Sequence, residues 1–246
     1  MIDARADADE RPTIVFLHGT RLTGASWTAQ VAALGEEFQV LTPDLPGHGT
    51  AADEPFTLAG AADDIAELIA REAHGGHAVL VGLSLGGYVA MDVAARWPDR
   101  VRGLVISGAT AEPIGPRSLA FRALAFTYRR TPAVALDRAN RWFIRRRFPA
   151  SIADPILAAG FCFPGGVTAL QALVGERFRP RLAAYPGPTL ILNGEYDLFF
   201  RPTEAAFAAV AADPRRVVLR GATHLANMDR PAEFSAAVGA FARSLG

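Results

Sequence analysis

The run Ala78-Val79-Leu80-Val81-Gly82-Leu83 is apolar throughout and passes directly into Ser84-Leu85-Gly86, so a strand ends inside a G-x-S-x-G motif. An uninterrupted apolar strand marks a parallel strand buried on both faces, because alternation appears only where one face meets water. Helical spacing follows from Ser84 to Arg96 and stops before Pro98. Strand, tight turn and helix in that order put a serine hydroxyl at the carboxyl end of a sheet strand. A corner this sharp leaves no room for β-carbons at the flanking glycines. It also aims the free amides and positive end of the helix at the reaction site, where a developing anion would be stabilised.

Elsewhere strands and helices alternate. The sequence predicts strands at Thr13–Leu17, Phe38–Leu41, Val101–Ile106, Pro188–Leu192 and Arg216–Leu219, with a helix between the last two. Further helices are predicted at Ser26–Glu37, with Trp27, Val31 and Leu34 on one face, at Thr57–Arg71, with Ile65, Leu68 and Ile69 inward, and at Pro231–Leu245. This alternation implies an α/β fold, a mostly parallel sheet covered by helices on both faces. It lapses from Ala111 to about Ala183, where the pattern is helical, as in Leu119–Tyr128 and Leu136–Arg147. The expected organisation is a core of residues 1–110 and 184–246 with a helical lid, 111–183, inserted in it. That segment holds 12 arginines against Glu112, Asp137, Asp154 and Glu176, a formal +8.

Charge narrows the function. The 25 basic and 25 acidic residues cancel, which argues against a nucleic-acid partner. All 25 basic residues are arginine, so no Walker A lysine, Schiff-base lysine or Ser-Lys dyad exists. The lone cysteine, Cys162, lies between Phe161 and Phe163 and reads as a small buried thiol; it supports neither an intramolecular disulfide nor a zinc cluster. MIDARADADERP has no apolar leader, and no run of 18 apolar residues occurs. A cytoplasmic protein without a membrane span is expected.

Five histidines compete to be a base. His18 precedes a glycine at a strand end and His48 sits in a breaker-rich loop, so both read as structural; His74 and His77 flank a Gly75-Gly76 turn and read as solvent-facing. His224 follows the last strand. Asp197, Glu195 and Glu112 are the candidate acids, each near a predicted strand end.

His18-Gly19 with Trp27 downstream, Asp44-Leu45-Pro46-Gly47-His48-Gly49 and Gly82-Leu83-Ser84-Leu85-Gly86-Gly87 resemble motifs of the α/β-hydrolase superfamily. Pro98-Asp99-Arg100-Val101, Gly194-Glu195-Tyr196-Asp197 and Gly221-Ala222-Thr223-His224 extend the resemblance, which covers Ile14 to Phe241. It implies Ser84 as nucleophile and, from the chain order serine, acid, histidine, His224 as base. The G-x-x-D pattern favours Asp197 over Glu195 as the orienting acid, and Asp44 matches a structural acid. The resemblance also implies an oxyanion hole from the Thr20 and Leu85 amides, with no cofactor and no metal. The reaction expected is hydrolysis of a carboxylic ester, thioester or lactone through an acyl-enzyme. The expected substrate is a small acyl compound, anionic if the arginine-rich lid steers it. Serine at position 84 argues against haloalkane dehalogenases and epoxide hydrolases, whose pattern needs Asp there.

Two alternatives stand beside this reading. One is an elimination lyase resembling 2-succinyl-6-hydroxy-2,4-cyclohexadiene-1-carboxylate synthase, although Tyr88 occupies the position where those enzymes carry arginine. The other is a hydrolase-like receptor with little turnover. About 12 residues precede the first predicted strand, where many relatives carry an antiparallel hairpin, so a sheet lacking one edge strand is expected.

Overall fold

The computed structural model describes residues 11–246; Met1–Glu10, most of the stretch expected to lack an apolar leader, lie outside the described residues. Strands β1 (Thr13–Leu17), β2 (Gln39–Leu41), β3 (Ala78–Leu83), β4 (Val101–Ser107), β5 (Pro188–Gly194) and β6 (Asp213–Leu219) form one sheet. Their order is β2-β1-β3-β4-β5-β6, and every neighbouring pair is parallel. No antiparallel strand joins it among the described residues. The helices are α1 (Thr28–Leu34), α2 (Leu58–Glu72), α3 (Leu85–Arg96), α4 (Ser118–Arg130), α5 (Ala133–Arg147) and α6 (Ala150–Ala159). They continue with α7 (Phe163–Leu173), α8 (Arg179–Ala184), α9 (Glu204–Ala208), α10 (Ala226–Asp229) and α11 (Pro231–Arg243).

Successive side chains of a strand point to opposite faces, and here both faces are buried. Ile14 and Phe16 pack with Trp27 and Phe234 beneath α1 and α11, whereas Val15 and Leu17 join Ile65, Ile69 and Val89 beneath α2 and α3. Thr57, expected as the first helical residue, instead caps α2, its hydroxyl accepting the Gly60 amide at 3.0 Å.

Two expectations are corrected. The helix expected over Ser26–Glu37 begins with a 3₁₀ turn, Gly24–Trp27, and its α-helical part ends at Leu34. The tighter winding shifts the phase, so Trp27 and Leu34 point inward but Val31 is 39% exposed. β6 starts earlier than expected, at Asp213, because an edge strand carries its pairing without the apolar pattern of a central one.

The chain leaves β1 toward β2 on one side, and leaves β3 toward β4 on the other. The order therefore reverses between β1 and β3, the point where open α/β sheets form a ligand crevice beyond their carboxyl ends. His18-Gly19 and Ser84 follow those two strands directly.

Between β4 and β5 the chain runs through α4 to α8. α4 packs along α7, and α8 lies against α3. Ile144, Phe148, Ile152 and Ile156 of α5, α6 and their connection form a separate apolar cluster with Leu22 and Met228. Cys162, expected to be sealed in the core, is only half-buried: its Sγ accepts the Gly49 amide at 3.1 Å and joins this segment to the Asp44–Gly49 loop. No single described helix is long and apolar enough to cross a membrane.

Candidate active site

Ser84 sits at the corner between β3 and α3 with φ 54° and ψ −115°, a region that costs a side-chain-bearing residue about 1–3 kcal/mol. Its surroundings hold it there. The Ser84 amide donates to the Ser107 carbonyl at 2.8 Å. A β-carbon at Gly82 would collide with the Gly86 carbonyl, and one at Gly86 would collide with the carbonyl of Leu17. Leu85 opens α3, so its amide is among the first-turn donors that have no intrahelical acceptor.

The exit of β1 faces this corner. A turn closed by Leu22 N–H donating to the Gly19 carbonyl, at 3.1 Å, leaves the Thr20 amide outside its own hydrogen bond. The Thr20 hydroxyl is buried and has no hydrogen-bond partner among the described residues. Asp44 holds the neighbouring loop: one carboxylate oxygen accepts the Gly24 amide, and the other accepts the amide and hydroxyl of Thr50. Burial works to raise its carboxyl, but those hydrogen bonds outweigh burial and keep it below the ordinary value.

His18 and His48 are both buried and bonded to backbone groups. His18 Nε2 accepts the Leu45 amide at 2.9 Å, which leaves the proton on Nδ1, 3.0 Å from the Gly19 carbonyl oxygen. Burial, and then neighbouring His48, push His18 down to about 4; burial also lowers His48. A folded value below the ordinary 6.5 means the unfolded chain takes up a proton that the folded chain refuses. For His18, stability is therefore complete above pH 6.5 and falls as pH drops toward about 4, at up to about 1.4 kcal/mol per pH unit, and His48 acts in the same direction. Urea midpoints measured at about pH 7 and about pH 4.5 should differ by that sign. An unchanged midpoint would remove the argument.

Asp197 and His224 come from adjacent loops after β5 and β6. The Glu195 amide donates to the Leu219 carbonyl at 2.9 Å and the Tyr196 amide to the Ala222 carbonyl at 2.8 Å. Asp197 Oδ2 then lies 2.9 Å from His224 Nδ1, with the carboxylate side chain 4% exposed. The Phe200 amide donates to the other oxygen at 3.3 Å, and the Phe200 ring stacks on the imidazole at 5.0 Å and 16°. The rival acids are engaged elsewhere. Glu195 accepts the Gly221 amide at 2.8 Å, while Glu112 accepts the Phe178 and Arg179 amides.

Two supports of His224 escaped the sequence reading. Gly108, at φ +57°, backs the imidazole so closely that a β-carbon there would lie 2.6 Å from the ring. Asp229 accepts the Thr223 amide and hydroxyl on one oxygen, and Arg147 of α5 holds its other oxygen at 2.6 Å. The glycine after β4 is the only sequence trace of the first; nothing local marks the second.

Thr20, Ser84, Asp197 and His224 line one cavity of about 330 Å³, while Leu85 is buried beneath Ser84. Its remaining wall is largely apolar, with Phe121 and Leu124 from α4, Leu170 from α7 and Phe199 from the Asp197 loop. The arginines of the 111–183 segment do not reach this wall, and Arg129, Arg130, Arg145 and Arg146 are exposed; the one lining arginine among the described residues is Arg21, after β1. No group of three or more His, Cys, Asp or Glu side chains capable of holding a metal occurs among the described residues.

Comparison with known proteins agrees with this architecture. Over 95% of both chains, the protein is 27% identical to a pimeloyl-[acyl-carrier protein] methyl ester esterase from Nitrosospira multiformis. It is 25% identical to 3-oxoadipate enol-lactonase 1 from Acinetobacter baylyi, covering 96% of this chain and 91% of the relative. A malate-bound thermophilic esterase from Thermogutta terrifontis superposes with a TM-score of 0.77 at 30% identity, over 95% of this chain and 90% of that one. These relatives are hydrolases, and the model of the alpha/beta hydrolase family matches residues 14–237. With the reversal point of the sheet, the serine corner and that match in agreement, the chain belongs to the alpha/beta hydrolase family.

Proposed function

We propose that this protein is a serine hydrolase of carboxylic esters, thioesters or lactones, working through an acyl-enzyme. One observation carries the reading: the Asp197–His224 hydrogen bond, 2.9 Å long, borders the same cavity as a serine held at positive φ. With Nδ1–H donated to the carboxylate, His224 keeps Nε2 free to take the Ser84 proton. Ser84 Oγ then bonds to the acyl carbon, and the carbonyl electron pair moves onto oxygen. The Leu85 and Thr20 amides receive that oxyanion, a service worth about 3–4 kcal/mol per donor in comparable sites. Collapse breaks the bond to the alcohol or thiol, which leaves with the proton from His224. Water, deprotonated by His224, attacks the acyl-enzyme and regenerates Ser84.

Residues 111–183 act in this scheme as a lid whose apolar underside, Phe121, Leu124 and Leu170, forms the wall for the acyl chain. The methyl ester and enol-lactone in the relatives' names support this range of substrates. The lyase alternative gains nothing at position 88: Tyr88 is fully buried, its hydroxyl donating to the Ala111 carbonyl and its ring against Phe178.

The test combines a panel of p-nitrophenyl esters, acyl-CoA thioesters and lactones with a fluorophosphonate probe. Turnover of at least one class and a single adduct on the Ser84 peptide are expected. An adduct without turnover of any acyl compound would favour the lyase or receptor reading, and labelling at another serine would overturn the assignment of Ser84.

A further inference from the structure

We infer that Arg21 is the carboxylate-binding residue of this cavity, so that the favoured substrates carry an anionic group away from the bond being cleaved. The inference relies on the acyl-hydrolase reading only for the nature of that bond.

Arg21 lines the same cavity as Ser84 and His224, one residue beyond Thr20. Its backbone is at φ 58°, and besides Ser84 it is the only non-glycine residue at positive φ among the described residues. Glycine or asparagine would fit that turn with less strain, which for a longer side chain is of order 1 kcal/mol or more. Its carbonyl accepts the Cys162 amide at 2.9 Å, so the strained backbone is pinned from the α6–α7 connection.

The side chain has no counter-charge. Nε donates to Asn140 Oδ1 at 2.8 Å and Nη1 to the Tyr128 hydroxyl at 3.2 Å. Both acceptors are neutral. Among the described residues no carboxylate lies within 4.0 Å of this guanidinium, whereas Arg141 and Arg147 each pair with one and Arg181 with two. Nη2 donates to no protein acceptor among the described residues. A half-buried cation held by neutral groups is oriented but not neutralised, and a guanidinium fork suits a carboxylate in two-point contact. Around it the wall is Leu22, Phe121, Leu124, Leu170 and Phe199, and the one lining carboxylate, Asp197, is engaged by His224. The arrangement suits a half-ester or lactone of a dicarboxylic acid, with an apolar spacer between the reacting carbonyl and the free carboxylate.

The experiment uses mono-p-nitrophenyl esters of the dicarboxylic acids from adipic to suberic, each matched by its methyl-capped neutral form. The wild-type protein should prefer the anionic member of a pair. Arg21→Gln should lower kcat/KM for that member about 10- to 100-fold, through KM, as loss of a charge-assisted contact does. The neutral member should change less than about threefold, and Arg21→Lys should recover part of the loss through charge alone. An equal fall for both members would mean that Arg21 only props the turn, and would overturn the inference. So would the absence of any preference in the wild type.

A binding measurement separates this inference from the hydrolase reading. In Ser84→Ala protein, calorimetry should find monoethyl suberate weakened by the same factor on adding Arg21→Gln, with diethyl suberate unaffected. If that difference appears although the wild-type protein turns over no ester, the hydrolase reading fails and Arg21 keeps its role. If esters are hydrolysed but binding ignores Arg21, the reverse holds.

Discussion

Ser84→Ala is expected to lower kcat by at least about three to four orders of magnitude while the urea midpoint stays nearly constant. The two readouts separate because of where the residue sits. The Ser84 amide, not its hydroxyl, donates to Ser107, and the corner is maintained by Gly82 and Gly86 against Leu17. Alanine keeps all of that and removes only Oγ. Residual turnover should reflect whatever the Thr20 and Leu85 amides do for an attacking water. Labelling by a fluorophosphonate should disappear with it. Full activity in the variant would end the acyl-enzyme mechanism, whatever the cavity binds.

Asp197→Asn is expected to cost roughly three to four orders of magnitude in kcat, again in a folded protein. The asparagine can still occupy the space and bond to His224, but its amide group donates to Nδ1 and so moves the ring proton to Nε2. That nitrogen then cannot accept from Ser84. Glu195→Gln is the matched control, because glutamine retains an oxygen for the Gly221 amide, now met at 2.8 Å. It should change kcat only a few-fold. The reverse order of the two effects, read from pre-steady-state and steady-state kinetics, would transfer the orienting role to Glu195.

The parts of this site that could be read from sequence are those written in local, short-range terms. A strand buried on both faces shows as an unbroken apolar run, and the glycines around Ser84 stand where backbone meets backbone. The resemblance to the family's motifs implies the other two, His224 by chain order and Asp197 by the G-x-x-D pattern. The rest depends on elements that meet only in space. Gly108 matters because β4 ends behind the His224 ring, and Asp229 because α5 brings Arg147 to it. Arg21 was hidden by its neighbours' charge. The +8 segment drew attention to its own arginines, yet successive residues of a helix point in different directions, and the clusters on α4 and α5 turn outward. An arginine in a turn carries no sequence mark that its φ is positive. Val31 and the early start of β6 were missed for a similar reason: helix phase and edge position are decided by the surrounding layers.

The attachment of α4 to α8 has a bearing on how such a protein can diversify. The segment departs after β4 and returns at β5, two strands that are hydrogen-bonded neighbours, with Leu104 opposite Thr189 and Ile106 opposite Ile191. Because the two strands are parallel, the segment leaves at the carboxyl end of β4 and re-enters at the amino end of β5, with Ser107 and Pro188 fixed by the sheet roughly 13 Å apart along the strand direction. Closing a loop between fixed neighbours costs only about 0.6 kcal/mol more for each doubling of its length. Ser84, Asp197 and His224 all lie outside it, on the ends of β3, β5 and β6. The segment can therefore vary in length at little cost in closure, and each variation resets the shape of the cavity wall, provided it keeps the contacts the core takes from it, Arg147 on Asp229 and Tyr128 and Asn140 on Arg21. Ser84, Asp197 and His224, with Arg21 after β1, stay with the sheet.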